Sequence, residues 1–136
     1  MNKFSYLPLD WPNKPENVSA ATTLTKGGVS KGNFGEFNLA MHVGDDPQAV
    51  KSNRTKLVDD LCLPAEPVWL EQVHSNRVVC ADNLAAGVVV EADASISRKK
   101  NVVCAVMTAD WLPVFFCNQA GTEVAVAHAG WRGLHS

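Results

Sequence analysis

Three short apolar runs lie close together in the last third of the chain, at residues 102–107, 114–117 and 124–127. They are rich in Val and Phe and are bounded by Gly, Pro and Asn, a pattern that is typical of β-strands. Because none of the runs alternates with polar residues, we predict strands that are buried on both faces. Polar residues such as Asp110 and His128 follow the runs, at the ends of the predicted strands, where side chains are well placed for chemistry.

The segment between Asp45 and Pro64 predicts a helix. Asp45 or Asp46 can cap its first turn, and Pro47 suits the position that follows the cap. Apolar residues at positions 49, 50, 57, 58 and 61 form one stripe along this helix, and Pro64 ends it.

Weaker patterns predict strands at residues 18–25, 37–43, 67–75 and 77–83. The last two are close enough for a tight connection, and on a strand Gln72 and His74 would face the same side. A glycine-rich segment at 26–35 lacks the spacing of a phosphate-binding motif, so we interpret it as a surface loop, with a phosphate cradle as the alternative. Many strands with one helix predict an α+β fold, in a single domain over residues 1–136.

Composition narrows the class of protein. Apolar residues make up 46% and charged residues 19% of the chain, which is typical of a globular protein. The net charge of −2 gives no reason to expect nucleic acid or an anionic membrane as a partner. No apolar run is long enough to cross a bilayer, and residues 1–20 lack the apolar core of a signal peptide, so we expect a cytoplasmic location.

The four cysteines are scattered and predict free thiols rather than disulfides. Cys104 and Cys117 lie inside apolar runs, where they are expected to be small buried hydrophobic residues. A Cys nucleophile activated by a His base is therefore disfavoured, because its thiol should lie at a strand end or a helix N-terminus. Hydrolysis by Ser is disfavoured too, since the G-x-S-x-G elbow is missing.

The candidate site residues are His74 and His128, each at the end of a predicted strand. Two imidazoles are the usual start of a zinc site, which needs a third protein ligand and an open position to be catalytic. Arg132 lies between glycines, and its planar guanidinium suits a phosphate or a carboxylate; a surface position in a loop is the alternative. Asp93 is a further candidate, although an Asp among small residues more often accepts backbone N–H groups in a turn.

Four ordered motifs resemble those of the YfiH-type laccase-domain family, also catalogued as multicopper polyphenol oxidase and, for some members, as peptidoglycan editing factor. The motifs are W-L-E-Q-V-H at 69–74, A-D-A at 92–94, T-A-D-x-L-P-V at 108–114 and H-A-G-W-R-G-L at 128–134. The resemblance implies a fold of layered mixed β-sheets flanked by helices. It also implies a zinc-dependent purine nucleoside phosphorylase that acts on adenosine, inosine and methylthioadenosine, with adenosine deaminase activity.

The resemblance further implies a set of metal ligands, namely the His of Q-V-H, the Cys of T-A-D-C and the His of H-A-G-W. His74 and His128 match this set as metal ligands and catalytic residues, and Arg132 is the expected phosphate-binding residue. The middle ligand does not match, because Trp111 stands where the family has Cys. An indole carries one N–H donor and no lone pair for a metal.

Two alternatives to this enzyme remain. The first is a catalytically inactive relative, which both Trp111 and the length of the chain favour. Family chains continue past H-A-G-W-R-G-L, so we expect this chain to resemble the N-terminal part of a longer domain. Apolar surface is then expected to be exposed at the incomplete end. The other alternative is the polyphenol oxidase of the family label. Zinc is preferred over copper, because four His residues without an H-x-H pair fall short of a multicopper centre.

Overall fold

The computed structural model describes residues 5–85 and 87–130, and the chain separates into two compact units. Unit 1 is formed by the described residues of Met1–Trp11 and Ser19–Leu63, and unit 2 by those of Pro12–Val18 and Pro64–Ser136. The single domain expected over residues 1–136 stays a prediction.

Unit 1 contains a small hairpin and a helix. Strands β1 (Tyr6–Pro8) and β2 (Ala21–Thr23) pair antiparallel, and helix α1 spans Pro47–Asp60. The predicted helix start is confirmed: the Asp46 carboxylate accepts the backbone N–H of Gln48 at 3.0 Å, directly before Pro47. An acceptor at this position satisfies a backbone donor that the helix itself leaves free.

Side chains of α1 hold the loop that was predicted as a strand at 37–43. The buried Asn53 amide donates to the carbonyl oxygen of Asn38 at 2.9 Å, and the Arg54 guanidinium donates twice to the carbonyl oxygen of Leu39. Asn38 also bonds the backbone of Ala40 in both directions. The strand prediction is wrong here, because side chains rather than a neighbouring strand satisfy this backbone.

Unit 2 contains six strands among its described residues. They are β3 (Leu70–Glu71), β4 (Val78–Cys80), β5 (Val90–Glu91), β6 (Ala94–Ser97), β7 (Pro113–Cys117) and β8 (Val124–His128). Four of them form a sheet in the order β4-β6-β8-β7, with β4 parallel to β6 and the other pairs antiparallel, while β3 and β5 form a parallel pair. Mixed sheets together with a helix confirm the predicted α+β class.

The segment 67–75 is not one continuous strand, and its predicted tight connection to 77–83 is wrong. Strand β3 is only two residues long and pairs with β5, whereas β4 pairs with β6. His74 has a left-handed backbone conformation with φ of 59°, so it cannot share a strand face with Gln72. A loop therefore carries His74.

The run at 102–107 is not a regular strand either; Cys104 forms an isolated bridge with Val68. The amide of Gln72 bonds both backbone groups of Met107, accepting from its N–H at 2.6 Å and donating to its carbonyl oxygen at 2.7 Å. The N–H and carbonyl groups of Met107 are therefore hydrogen-bonded to a side chain instead of to a neighbouring strand.

The strands predicted at 114–117 and 124–127 are confirmed as β7 and β8, but burial on both faces is wrong for β7. Its side chains alternate in exposure, and Phe116 is 55% exposed. One face of the four-stranded sheet is therefore open in this chain.

All four cysteines are free thiols, as predicted. Cys104 and Cys117 are only partly buried, so the expectation that both are buried hydrophobic residues is too strong. Burial still raises the pKa of the Cys104 thiol, which disfavours a reactive thiolate there. Within the described ranges, no helix combines the length and the apolar content that crossing a membrane requires.

Candidate functional site

His74 and His128 lie side by side in unit 2, with ring centroids 5.2 Å apart and ring planes inclined by 57°. His128 is the last residue of β8 and is 7% exposed, whereas His74 is exposed in the loop after β3. The two imidazoles that the sequence selected are thus brought together by the fold. Their roles as metal ligands and catalytic residues stay predictions.

The Asp93 carboxylate holds the loop that carries His74. Its Oδ1 accepts the backbone N–H groups of Val73 at 3.0 Å and Ser75 at 2.8 Å, together with the Ser75 hydroxyl at 3.0 Å. Its Oδ2 accepts the backbone N–H of His74 at 3.0 Å. Three successive backbone donors therefore converge on one carboxylate, which stabilises the left-handed conformation of His74.

The same carboxylate fixes His128. Its Oδ2 lies 3.1 Å from the Nδ1 atom of His128, and the backbone N–H of His128 donates to the carbonyl oxygen of Asp93 at 2.7 Å. Asp93 is 2% exposed, so this arrangement is shielded from water. One buried residue thus positions both imidazoles.

The charge of Asp93 decides which nitrogen of His128 is available. Burial acts to raise the pKa of Asp93, but hydrogen bonds from the backbone of Ser75 and Val73 and from His128 outweigh it and hold that pKa below its ordinary value. An ionised carboxylate only accepts hydrogen bonds, so Nδ1 of His128 carries the proton that faces it. In the neutral ring the lone pair then resides on Nε2, directed away from Asp93.

Gly130 lies beside both imidazole rings. A Cβ placed on Gly130 would lie 3.4 Å from Nδ1 of His74 and 3.6 Å from Cε1 of His128. These are ordinary van der Waals distances, so any larger side chain would fill the space beside the imidazoles.

A cavity of about 380 Å³ adjoins Asp93 and His128. Its other walls come from the loop of Ser75 to Arg77 and from apolar residues of the four-stranded sheet, including Val78, Val114 and Phe116. A lining that combines polar and charged residues with apolar ones suits a small molecule that carries both a polar part and an aromatic part.

The sequence singled out three further residues for this site, namely Asp110, Trp111 and Arg132. Arg132 lies outside the described residues. Trp111 and Asp110 are both exposed. In residues 5–85 and 87–130, no group of three or more His, Cys, Asp or Glu side chains is arranged to hold a metal ion.

The sequence identified Asp93 as a residue that binds backbone N–H groups, and this is confirmed. Its contact with His128 was missed. The contact depends on the pairing of Ala94 with Ala127 between β6 and β8, which places the preceding Asp93 next to the following His128. The signal available in the sequence was the A-D-A motif, but its partner is decided by strand pairing.

Known proteins resemble this chain closely. It is 49% identical over 130 residues to a purine nucleoside phosphorylase of Pseudomonas aeruginosa, covering 96% of this chain and 51% of that protein. It is 51% identical over 126 residues to the purine nucleoside phosphorylase YfiH of Escherichia coli, covering 91% of this chain and 50% of that protein. The crystal structure of the Neisseria meningitidis protein NMB0706 matches with a TM-score of 0.87 at 50% identity, covering 95% of this chain and 52% of that chain.

The chain spans about half the length of the curated relatives it matches. A family model described as multi-copper polyphenol oxidoreductase laccase matches residues 19–136, which include the segments of all four motifs. The resemblance that these motifs predicted is thereby confirmed, and the chain belongs to the multi-copper polyphenol oxidoreductase laccase family.

Proposed function

We propose that this chain carries the imidazole site of a purine nucleoside phosphorylase-type enzyme, which takes adenosine, inosine or methylthioadenosine together with phosphate. The observation that carries the proposal is the pair of imidazoles 5.2 Å apart, positioned by the buried Asp93. It is supported by the names of two relatives whose sequences are 49% and 51% identical to this chain over more than nine tenths of its length. Adenosine deamination is proposed as an associated reaction of the same site.

Two donors of this site suit zinc. His128 bonds a carboxylate through Nδ1 and leaves Nε2 available, which is the arrangement that commonly orients a metal-binding histidine. His74 supplies the second imidazole, but the described residues supply no third donor, and an indole at position 111 cannot replace one. A bound zinc ion would supply Lewis-acid chemistry. Because the donor set is incomplete, no step of the reaction is assigned to the metal.

In phosphorolysis, a phosphate oxygen bonds to C1′ of the ribose while the bond from C1′ to the purine nitrogen breaks. The proton that the phosphate loses is taken up by the departing purine. In this proposal Arg132 binds the phosphate, and the cavity beside His128 receives the nucleoside, with the purine against Val114 and Phe116. Asp93 keeps the imidazole of His128 in one orientation throughout, as a positioning residue.

Activity is tested with inosine as the substrate. The chain is expected to release hypoxanthine in the presence of phosphate and not in its absence. His128→Ala should reduce this rate at least about 100-fold, because it removes the imidazole that Asp93 orients, which is the more buried of the two. His42→Ala is the control, since His42 is an exposed residue of unit 1, and it should keep the full rate. Equal rates for the two variants would contradict the assignment of His128.

Zinc binding is tested by restoring a sulfur ligand. Trp111→Cys is expected to raise zinc affinity at least about 10-fold, because a thiolate would join two imidazoles. Leu112→Cys adds a thiol at the neighbouring position, which is 79% exposed, and should leave the affinity unchanged. Competition with a zinc chelator measures both. If the two variants bind zinc as weakly as the original chain does, Trp111 does not occupy the ligand position.

A catalytically inactive relative is the second candidate, and Trp111 is the observation that favours it. In that case the chain should release no hypoxanthine from inosine and should bind no zinc, although it folds normally. A laccase-like oxidase is a further candidate, on the strength of the family description. Uptake of oxygen by the copper-loaded protein with a polyphenol would favour that candidate over phosphorolysis.

A further inference from the structure

The side chain of Gln72 joins two segments of unit 2 that are 35 residues apart in the sequence. Its amide accepts the backbone N–H of Met107 at 2.6 Å and donates to the carbonyl oxygen of Met107 at 2.7 Å. An amide carries an acceptor and a donor side by side, so one Gln satisfies both backbone groups of a single residue. Both residues are half-buried, which strengthens these bonds because water competes less for them.

The two segments run in the same direction. Before Gln72, the backbone N–H of Val68 donates to the carbonyl oxygen of Val103 at 2.8 Å, and Val68 forms a parallel bridge with Cys104. The amide of Gln72 extends this contact to Met107 with a side chain in place of a backbone. Because parallel segments end at the same edge, the residues after Gln72 and those after Met107 leave the contact side by side.

Each of the two segments leads into a part of the sequence that was selected for the candidate site. His74 follows Gln72 by two residues, and Asp93 holds its loop through three backbone N–H groups. Met107 is followed by T-A-D-W at residues 108–111, the stretch in which the family resemblance places the third metal ligand. Gln72 therefore connects the loop of His74 to the segment that ends at Trp111.

The segment 108–111 has few other supports. All four of its residues are exposed, and within residues 5–85 and 87–130 none is hydrogen-bonded to them. At the far end of the segment, β7 begins with Pro113, which pairs with His128. The position of residue 111 relative to the imidazoles thus depends on Met107 at one end and on β7 at the other, and Gln72 fixes the end that lies nearer to His74 in the fold.

We infer that Gln72 is a positioning residue, which holds the segment 108–111 beside the loop of His74, a role that rests on the proposed function because position 111 belongs to that site. The framework for a third ligand is then preserved in this chain, and only the donor atom is missing from the indole of Trp111.

The first test needs no metal. Gln72→Met keeps the length of the side chain but removes the amide, so hydrogen exchange at the backbone N–H of Met107 should accelerate at least about 10-fold. The NMR signals of residues 108–111 should shift, whereas amides of β6 and β8 should keep their exchange rates, which verifies that unit 2 is folded. Val73→Met is the matched control, because it introduces the same side chain at the next position, which is 46% exposed, and it should leave Met107 protected.

The second test asks whether Gln72 acts through position 111. Zinc affinity is measured by chelator competition for Gln72→Met in two backgrounds, the original chain and Trp111→Cys. In Trp111→Cys the affinity should fall at least about 10-fold, because the thiolate is no longer held beside the imidazoles. In the original chain it should fall less than about twofold, since Asp93 holds both imidazoles and position 111 offers no donor. Val73→Met should change neither value.

Two results would overturn the positioning role. The first is unchanged hydrogen exchange at Met107 in Gln72→Met, whatever the chain binds. The second is an equal loss of zinc affinity in both backgrounds, which would make Gln72 a general structural residue. A different result, in which Trp111→Cys gains no zinc affinity while Gln72→Met shifts the signals of residues 108–111, would contradict the metal-ligand position in the proposed function and support the positioning of the segment by Gln72.

Discussion

Asp93→Asn is expected to lower the free energy of unfolding of unit 2 by about 4 kcal/mol, because it breaks a buried, charged hydrogen-bond network. The carboxylate accepts from three successive backbone N–H groups and one hydroxyl and also faces Nδ1 of His128. An amide replaces one of the two acceptor oxygens with an NH₂ group. In either orientation, this group would point at donors that the carboxylate had satisfied.

The measurement combines urea denaturation with NMR of the imidazole nitrogens. In the original chain, His128 should show its proton on Nδ1, and in Asp93→Asn this preference and the resonance positions of both His74 and His128 should change. A merely structural role for Asp93 would alter stability and leave the tautomer of His128 in place. Asp82→Asn is the control: Asp82 is also in unit 2 but accepts hydrogen bonds from Ser97 and Arg98, so the imidazole signals should not move.

Unit 1 should be similarly sensitive to a single methyl group. Gly28→Ala is expected to destabilise it by about 3 kcal/mol, because the added methyl group would overpack its surroundings. A Cβ at Gly28 would lie less than 3.0 Å from the carbonyl oxygen of Glu36, from Oδ1 of Asn53 and from the ring of Phe37. Two of these groups belong to the network between α1 and its loop, and a backbone carbonyl cannot move aside without breaking it.

Gly32→Ala separates this packing effect from the general cost of replacing a glycine in the loop. Gly32 has φ of 65°, but a Cβ at this position would meet no heavy atom within 4 Å, so its replacement should cost only about 1 kcal/mol of backbone strain. Thermal unfolding followed by the circular dichroism of α1 measures both variants. A loss of stability that is equal in the two variants would show that the close contacts of Gly28 can relax.

The elements that the sequence predicted correctly depend on local chemistry. Helix α1 begins where an acidic cap precedes a proline, and both signals lie within two adjacent positions, Asp46 and Pro47. Strands β4, β7 and β8 have apolar runs bounded by turn residues, and their backbone pairs regularly. In these segments local preference and tertiary pairing agree, so the pattern was sufficient.

Three predicted strands failed for one physical reason. At 37–43 the backbone is bonded by Asn53, Arg54 and Asn38; at 102–107 Gln72 takes both backbone groups of Met107; at 73–75 Asp93 takes three N–H groups. A polar side chain can satisfy backbone groups as well as a neighbouring strand can. Apart from Asn38, each polar partner lies 15 or more residues away in the sequence, so an apolar pattern cannot reveal it.

For the candidate site, the sequence alone selected the two imidazoles and identified the family. The W-L-E-Q-V-H and H-A-G-W-R-G-L motifs selected His74 and His128, and Trp111 was visible as a residue without a lone pair for a metal. Only the tertiary structure decided that the two imidazoles meet and that Asp93 orients both. The contact of Asp93 with His128 follows from the pairing of β6 with β8, and the backbone hydrogen bonds of its loop to Asp93 bring His74 to the same place. Distances between residues far apart in a chain are set by such pairing, because each strand's own pattern fixes which face is apolar and not which strand lies beside it.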